Sequence, residues 1–327
     1  MKLYFVFNII LIMLLTACGD SAKFGIAQRA DVFGQQIEYN DKVDILWVID
    51  NSDSMADHQA NISNQISSTM DALYATKLDF HMSVVTTDMR SSLSYPDYLK
   101  ADGRLIGDVK VLKNSTPNIE QEFADMIRAG TNGSTVERGL DAIYRALSEP
   151  RLSNENAGFL REDALLAIIV VSDEDDSSAQ SSSDMIDFLN TLKPEFSYGN
   201  QAWVMNFIGV TELSSTCTTL NQYSSPGLEY MSLVDYSGGK SSTICTADLR
   251  DALFNVRERI VQILTEFRLK KQPDLETLTV YVNGSILVND SNNGWTYNAE
   301  NNSIVFHGDG VPAADAVIVI DYKPKIL

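Results

Sequence analysis

Apolar positions along this chain repeat in two different ways. Over residues 44–49, 164–171 and 202–210 they run almost without interruption, the pattern of strands buried on both faces of a parallel sheet. Elsewhere they recur at helical spacing: Ile62, Ile66, Met70 and Leu73 predict a helix over 55–77. Leu249, Leu253, Val256, Ile260, Ile263 and Phe267 predict another over 248–267. Shorter helices are expected over 119–129 and 136–147. Phe80, Met82 and Val84 alternate with His81 and Ser83, which suits a strand with one less buried face, before an irregular stretch over 88–118. Strands alternating with helices predict an α/β layer fold, doubly wound, with a mostly parallel sheet flanked by helices.

From about Lys271 the texture changes to short β-type runs at 278–282, 295–297, 303–306 and 316–322. They are separated by Asn283-Gly284, Asn293-Gly294 and Gly308-Asp309-Gly310, so a small C-terminal all-β module is expected. The resulting division is 1–17 as a signal segment, 18–42 as a tether, 43–270 as the α/β domain and 271–327 as the β-rich module.

The signal assignment rests on Lys2 followed by an apolar stretch from Leu3 to Leu15, broken only by Asn8, which is too short for a spanning helix. Its ending, Leu15-Thr16-Ala17-Cys18, resembles a bacterial lipobox. That resemblance implies lipidation of Cys18 and a lipid-anchored protein of the cell envelope. With Gly19 next, it points to the outer membrane, on either its periplasmic or its outer surface.

The chain carries 25 basic and 44 acidic residues, a formal charge of −19, which repels polyanions and argues against a nucleic-acid partner. Cys217 and Cys245, the remaining cysteines of an exported chain, are expected to form a disulfide across a Ser/Thr/Gly-rich segment.

Candidate chemistry sits where two of the apolar runs end. The first stops at Asp50-Asn51-Ser52-Asp53-Ser54 and the second at Ser172-Asp173-Glu174-Asp175-Asp176. Parallel sheets place ligand sites beyond the carboxyl ends of their strands, so the two acidic tips are expected to meet on one edge. Asp50, Ser52 and Ser54 offer only oxygen donors, which suits a hard divalent cation rather than zinc.

With these features together, the region 43–267 resembles the von Willebrand factor type A family. The marker of that family is a metal-ion-dependent adhesion site, to which Asp50, Ser52 and Ser54 correspond as the first loop and Asp173 as the third. The segment Gly133-Ser134-Thr135-Val136-Glu137 is similar to the family's second loop, placing Ser134 as the hydroxyl ligand with Thr135 beside it and Thr131 as an alternative. The resemblance implies one divalent cation, magnesium first and manganese or calcium as alternatives. Two ionised aspartates and neutral hydroxyls would leave that cation able to accept a carboxylate from a protein or surface partner. Asp53 and Glu174 stand where the family usually has glycine; these extra carboxylates would either draw in calcium and raise affinity or remain solvated bystanders, and neither is counted among the ligands.

An enzyme is not expected. The chain has no H-E-x-x-H, G-x-S-x-G, Walker or dinucleotide motif, and Ser237-Gly238-Gly239-Lys240, which fits S-x-x-K, lacks its companion motifs and reads as a turn. His58, His81 and His307 are scattered. The alternatives to a cation-dependent binding protein are a structural component of a pilus, secretion or envelope complex and, behind it, a metal-dependent hydrolase.

Overall fold

The structure is a computed structural model and describes residues 33–75, 78–90, 101–196, 200–217, 225–313 and 316–325. The lipobox at 15–18 lies outside the described residues. Within them, no helix is long and apolar enough to cross a membrane.

The chain runs β1 (Phe33–Glu38), β2 (Lys42–Ile49), a 3-10 turn at Asp53–Met55, α1 (Ala56–Asn64), α2 (Ile66–Ala75), β3 (Asp79–Thr86) and β4 (Leu112–Lys113). It continues with α3 (Ile119–Ile127), α4 (Gly139–Ala146), β5 (Leu165–Ser172), α5 (Ser182–Leu192), β6 (Trp203–Gly209), α6 (Leu228–Ser237), β7 (Ser241–Thr243) and α7 (Arg250–Thr265). The main sheet has six strands in the order β4-β3-β2-β5-β6-β7, all parallel except the edge strand β4.

Helices cover both faces of this sheet, and β2 shows why. Val43, Ile45, Trp47 and Ile49 pack against α1, α2, α3 and α7, whereas Leu46 and Val48 point to the opposite core with α4, α5 and α6. A strand buried on both sides needs apolar residues at successive positions, which explains the uninterrupted runs seen in the sequence. The chain leaves β2 along one face through α1 and α2, and leaves β5 along the other through α5. Strands β2 and β5 are neighbours, so their carboxyl ends flank the point where the winding reverses, the place where such sheets open a crevice.

The helix expected over 55–77 divides at Gln65. The Gln65 side chain is bonded to the start of a distant helix: Leu249 N donates to its Oε1 at 3.0 Å and its Nε2 donates to Ala247 O at 3.1 Å. The helix expected to reach Phe267 stops at Thr265, because Glu266–Arg268 form β8 and pair with β12 (Ser303–Phe306). Helix α5 carries a reciprocal Ser181/Asp184 capping box.

Antiparallel sheets build the C-terminal region. One has the order β1-β13-β9-β10, with β9 Thr279–Val282, β10 Ser285–Leu287 and β13 Val317–Tyr322. The other has the order β11-β12-β8, with β11 Trp295–Asn298 and β12 Ser303–Phe306. The segment 33–38, read from sequence as part of the tether, pairs in register with β13 from Phe33↔Tyr322 to Glu38↔Val317. Asn283 and Gly284 turn between β9 and β10 with positive φ of 50° and 79°, as a tight hairpin requires. The core here includes Phe267, Val280, Trp295, Ile304, Phe306 and Ile320.

Cys217 and Cys245 are joined, 28 residues apart, tying the segment after β6 to the segment before α7. Replacing both with alanine should lower unfolding stability by about 3 kcal/mol, because the bond restricts the unfolded chain. Urea unfolding of the two forms side by side checks this; equal midpoints would remove the bond from the account of stability.

Candidate functional site at the carboxyl edge of the sheet

Asp50 continues the β2–β5 ladder, its N–H donating to Val171 O at 2.9 Å. Its side chain is held by two donors: Ser52 N–H to Oδ1 at 2.8 Å and Ser172 Oγ–H to Oδ2 at 2.7 Å. The Ser52 and Ser54 hydroxyls lie 3.0 Å apart, and Ser54 Oγ donates to Asp173 Oδ1 at 3.2 Å. The first and third loops therefore meet, as their sequence positions led us to expect. Asp50 and Asp173 are buried, with exposures of 0% and 1%, and Asp173 Oδ2 has no hydrogen-bond partner among the described residues.

The second loop is fastened beside the first. Gly133 N–H donates to Asn51 O at 2.8 Å, and a Cβ at position 133 would lie 2.4 Å from Asn51 Oδ1, so the approach admits only glycine without displacement. Gln59 Nε2 bridges Asp50 O and Gly130 O at 2.9 Å each. Ser134 stands next to this contact, but its Oγ accepts from Val136 N at 3.0 Å, and Thr135 is exposed. Among the described residues no hydrogen bond joins Ser134 or Thr135 to Asp50, Ser52, Ser54 or Asp173.

Glu137, to which the sequence alone assigns no role, is buried under the site. Thr87 Oγ1 donates to its Oε2, and Oε1 has no partner among the described residues. Burial and then the charge of Asp50 push the Glu137 carboxyl up to about 9. The same two causes push Asp173 up to about 7, with Glu174 adding to them. Glu174, exposed at the rim but with its carboxyl partly desolvated, is raised first by that desolvation and then by Asp50 and Asp53. Every neighbouring charge that acts on Asp173 is negative. Buried carboxylates need positive charge or protons, so this donor set of carboxylate and hydroxyl oxygens fits a hard divalent cation.

The acidic run after β5 divides by role. Asp175 Oδ1 accepts from Glu229 N at 3.1 Å at the start of α6. Asp176 Oδ1 accepts from Leu140 N at 3.1 Å at the start of α4 and from Tyr230 Oη at 3.0 Å. These two carboxylates satisfy N–H groups in the first turns of helices, as capping side chains do. Asp53 and Glu174 are exposed.

The remaining sequence candidates lie elsewhere. Ser237 Oγ is buried at the end of α6, donating to Leu233 O and accepting from Met205 N, and Gly238 ends that helix with φ 66°. His81 Nδ1 lies 2.9 Å from Phe159 O, and His307 Nε2 is 2.7 Å from Thr296 Oγ1.

The raised carboxyls have a consequence for pH dependence. Asp173 and Glu137 start from 3.8 and 4.5 and rise to about 7 and about 9 in the fold. Between these values the folded chain keeps protons that the unfolded chain has released, so stability falls as pH rises. In chelator, unfolding stability should drop by roughly 3 kcal/mol from pH 5 to pH 8, less than the two shifts summed because both share Asp50. Glu137→Gln should flatten the slope in urea unfolding; an unchanged slope would contradict the assignment.

No protein-family model matches the chain, and no curated protein matches it. Among solved structures it is similar to the pilus adhesin SpaC from Lactobacillus rhamnosus GG, with 11% sequence identity, coverage of 88% of this chain and 40% of that chain, and a TM-score of 0.40. The chain thus spans about two-fifths of that adhesin's length.

Proposed function

We propose that the chain is a lipid-anchored, extracytoplasmic binding protein of von Willebrand factor A type whose carboxyl-edge site holds a divalent cation and recognises a partner carboxylate. The observation that carries this reading is the meeting of Asp50, Ser52, Ser54 and Asp173 at the β2/β5 edge, with an Asp173 oxygen that has no partner among the described residues and only negative charges among those acting on that carboxyl. Asp50 and Asp173 would contribute charge, and Ser52 and Ser54 neutral oxygens. Ser134 or Thr135 would join them only after the second loop re-aims a hydroxyl, since Ser134 Oγ is engaged with Val136 N–H. A bound magnesium, manganese or calcium ion supplies a hard Lewis-acidic centre that accepts a further oxygen ligand. The anchor at Cys18 would keep the site at the envelope surface, within reach of protein or surface ligands.

Capture from envelope extracts tests the reading. The full chain should retain a partner in magnesium and release it in chelator, and Ser52→Ala should weaken retention while leaving the thermal midpoint within about 3 °C of the parent, since the buried Ser52 hydroxyl is bonded to Ser54 Oγ and losing one such neutral hydrogen bond costs about 1 kcal/mol. Retention that ignores both chelator and Ser52→Ala would contradict it.

A further inference from the structure

At the opposite edge of the sheet, where β6 begins and α6 ends, lies a cavity of about 210 Å³ between the α/β layers and the β11–β12 hairpin. It is lined by Arg259 and Arg268 in a chain whose net charge is −19. Arg259 is fixed in place: its Nε donates to Gly238 O at 2.6 Å and its Nη1 to Gln262 Oε1 at 3.0 Å. Burial lowers its basicity, Glu266 restores part of it, and Arg268 adds a like charge that an incoming anion would offset.

The other walls select among anions. Asp235 and Glu266 also line the cavity, so a phosphate dianion would meet two carboxylates; Glu266 already accepts from Gln262, Asn298, Asn301 and Ser303, which leaves Asp235 as the carboxylate acceptor for a hydroxyl group. Of the side-chain amides, Asn200 Nδ2 donates to Glu266 O and Asn301 Nδ2 to Glu266 Oε1, whereas Gln201 Nε2 is buried with no partner among the described residues. Tyr236 adds a flat apolar surface. Its ring is half exposed, stacks on buried Trp203 at 5.9 Å with 16° between planes, and is held by Asn190 Nδ2 donating to its hydroxyl at 2.8 Å. The volume is below the roughly 300–1,000 Å³ typical of drug-sized ligands and suits one six-membered ring.

We propose that this cavity binds a single carboxylate-bearing sugar unit of the hexuronic or sialic acid type, its carboxylate on the arginines, its hydroxyls on the Gln201 amide and Asp235, and its C–H face on Tyr236. This site is independent of the cation site, and its test is run in chelator.

The probes are glucuronate, galacturonate and N-acetylneuraminate, each titrated into the full chain by calorimetry and ligand-observed NMR, with glucose, acetate and inorganic phosphate as comparisons. At least one acidic sugar should bind saturably and at least about tenfold more tightly than all three comparisons, since loss of either the charge or the ring contact costs on the order of 1.4 kcal/mol or more. Tyr236→Ala and Arg259→Ala should each weaken that binding at least about fivefold, and Arg259→Lys, which keeps the charge, should recover part of it. Tyr236→Ala removes a half-exposed side chain and keeps the test open should Arg259→Ala fail to fold. Acidic sugars that bind no better than acetate, phosphate that binds best, or binding unaffected by Tyr236→Ala would each overturn the proposal.

Discussion

In Asp50→Asn, two measurable properties should move in opposite directions. Saturating the parent with magnesium at about 100 times its dissociation constant should raise unfolding stability by about 2.7 kcal/mol, and the variant should show none of that gain. In chelator at pH 8 the variant should be at least as stable as the parent. The reason is the charge on Asp50, which presses on both Glu137 and Asp173 and, with burial, holds their carboxyls up to about 9 and about 7. Asparagine keeps the shape and an acceptor for Ser52 N–H while removing that repulsion. A variant that loses stability in chelator but still gains it from magnesium would show that Asp50 is a folding residue and not a ligand. Urea unfolding with and without the cation separates the cases.

The second large effect lies at the amino edge of the sheet. Asp44 is fully buried on β2, and Arg161 meets it with its backbone N–H at 2.6 Å on Oδ2 and its Nε at 2.8 Å on Oδ1. The same guanidinium reaches Asp79 Oδ2 at 2.8 Å and the carbonyls of Val43 and Asp79. Burial raises the Asp44 pKa, and Arg161 is the main opposing influence. Arg161→Ala should therefore cost about 3 kcal/mol by removing the guanidinium that neutralises a buried carboxylate, leaving it the backbone N–H of residue 161 and His81 at 3.8 Å. Adding Asp44→Asn should recover a substantial part of the loss. A cost below about 1 kcal/mol, the range of exposed ion pairs, would show that Asp44 finds water or another donor instead.

These two edges differ in how readable they were. The carboxyl edge was legible because β2 and β5 are continuous apolar runs that stop abruptly at Asp50 and Ser172-Asp173, and strand tips of a parallel sheet share an edge. The clasp around Asp44 was hidden. An aspartate inside an apolar run gives no local sign that its partner is 117 residues away.

The same limit explains the broken helix at Gln65, whose bonds reach residues 182 and 184 positions further on, and strand β1, whose partner is at the other end of the chain. Helix α5 was missed although Ser181-x-x-Asp184 carries a capping signal that could have marked its start. Glu137 gave no comparable signal, because its burial depends on Thr87 and on the approach of Gly133 to Asn51, and neither contact is local. The acidic run 173–176 looked uniform in sequence, but Asp175 and Asp176 face helix N-termini while Asp173 faces the first loop.

Titration of the purified full chain with manganese, followed by calorimetry and by the paramagnetic loss of free-ion signal, measures the proposed site directly. The expected result is one ion taken up per chain with release of protons at pH 7, since without the cation Glu137, raised to about 9, is protonated there and Asp173, raised to about 7, is partly protonated, and uptake abolished in Asp50→Asn. No saturable uptake, or uptake that survives Asp50→Asn unchanged, would contradict a cation held by the β2 and β5 tips.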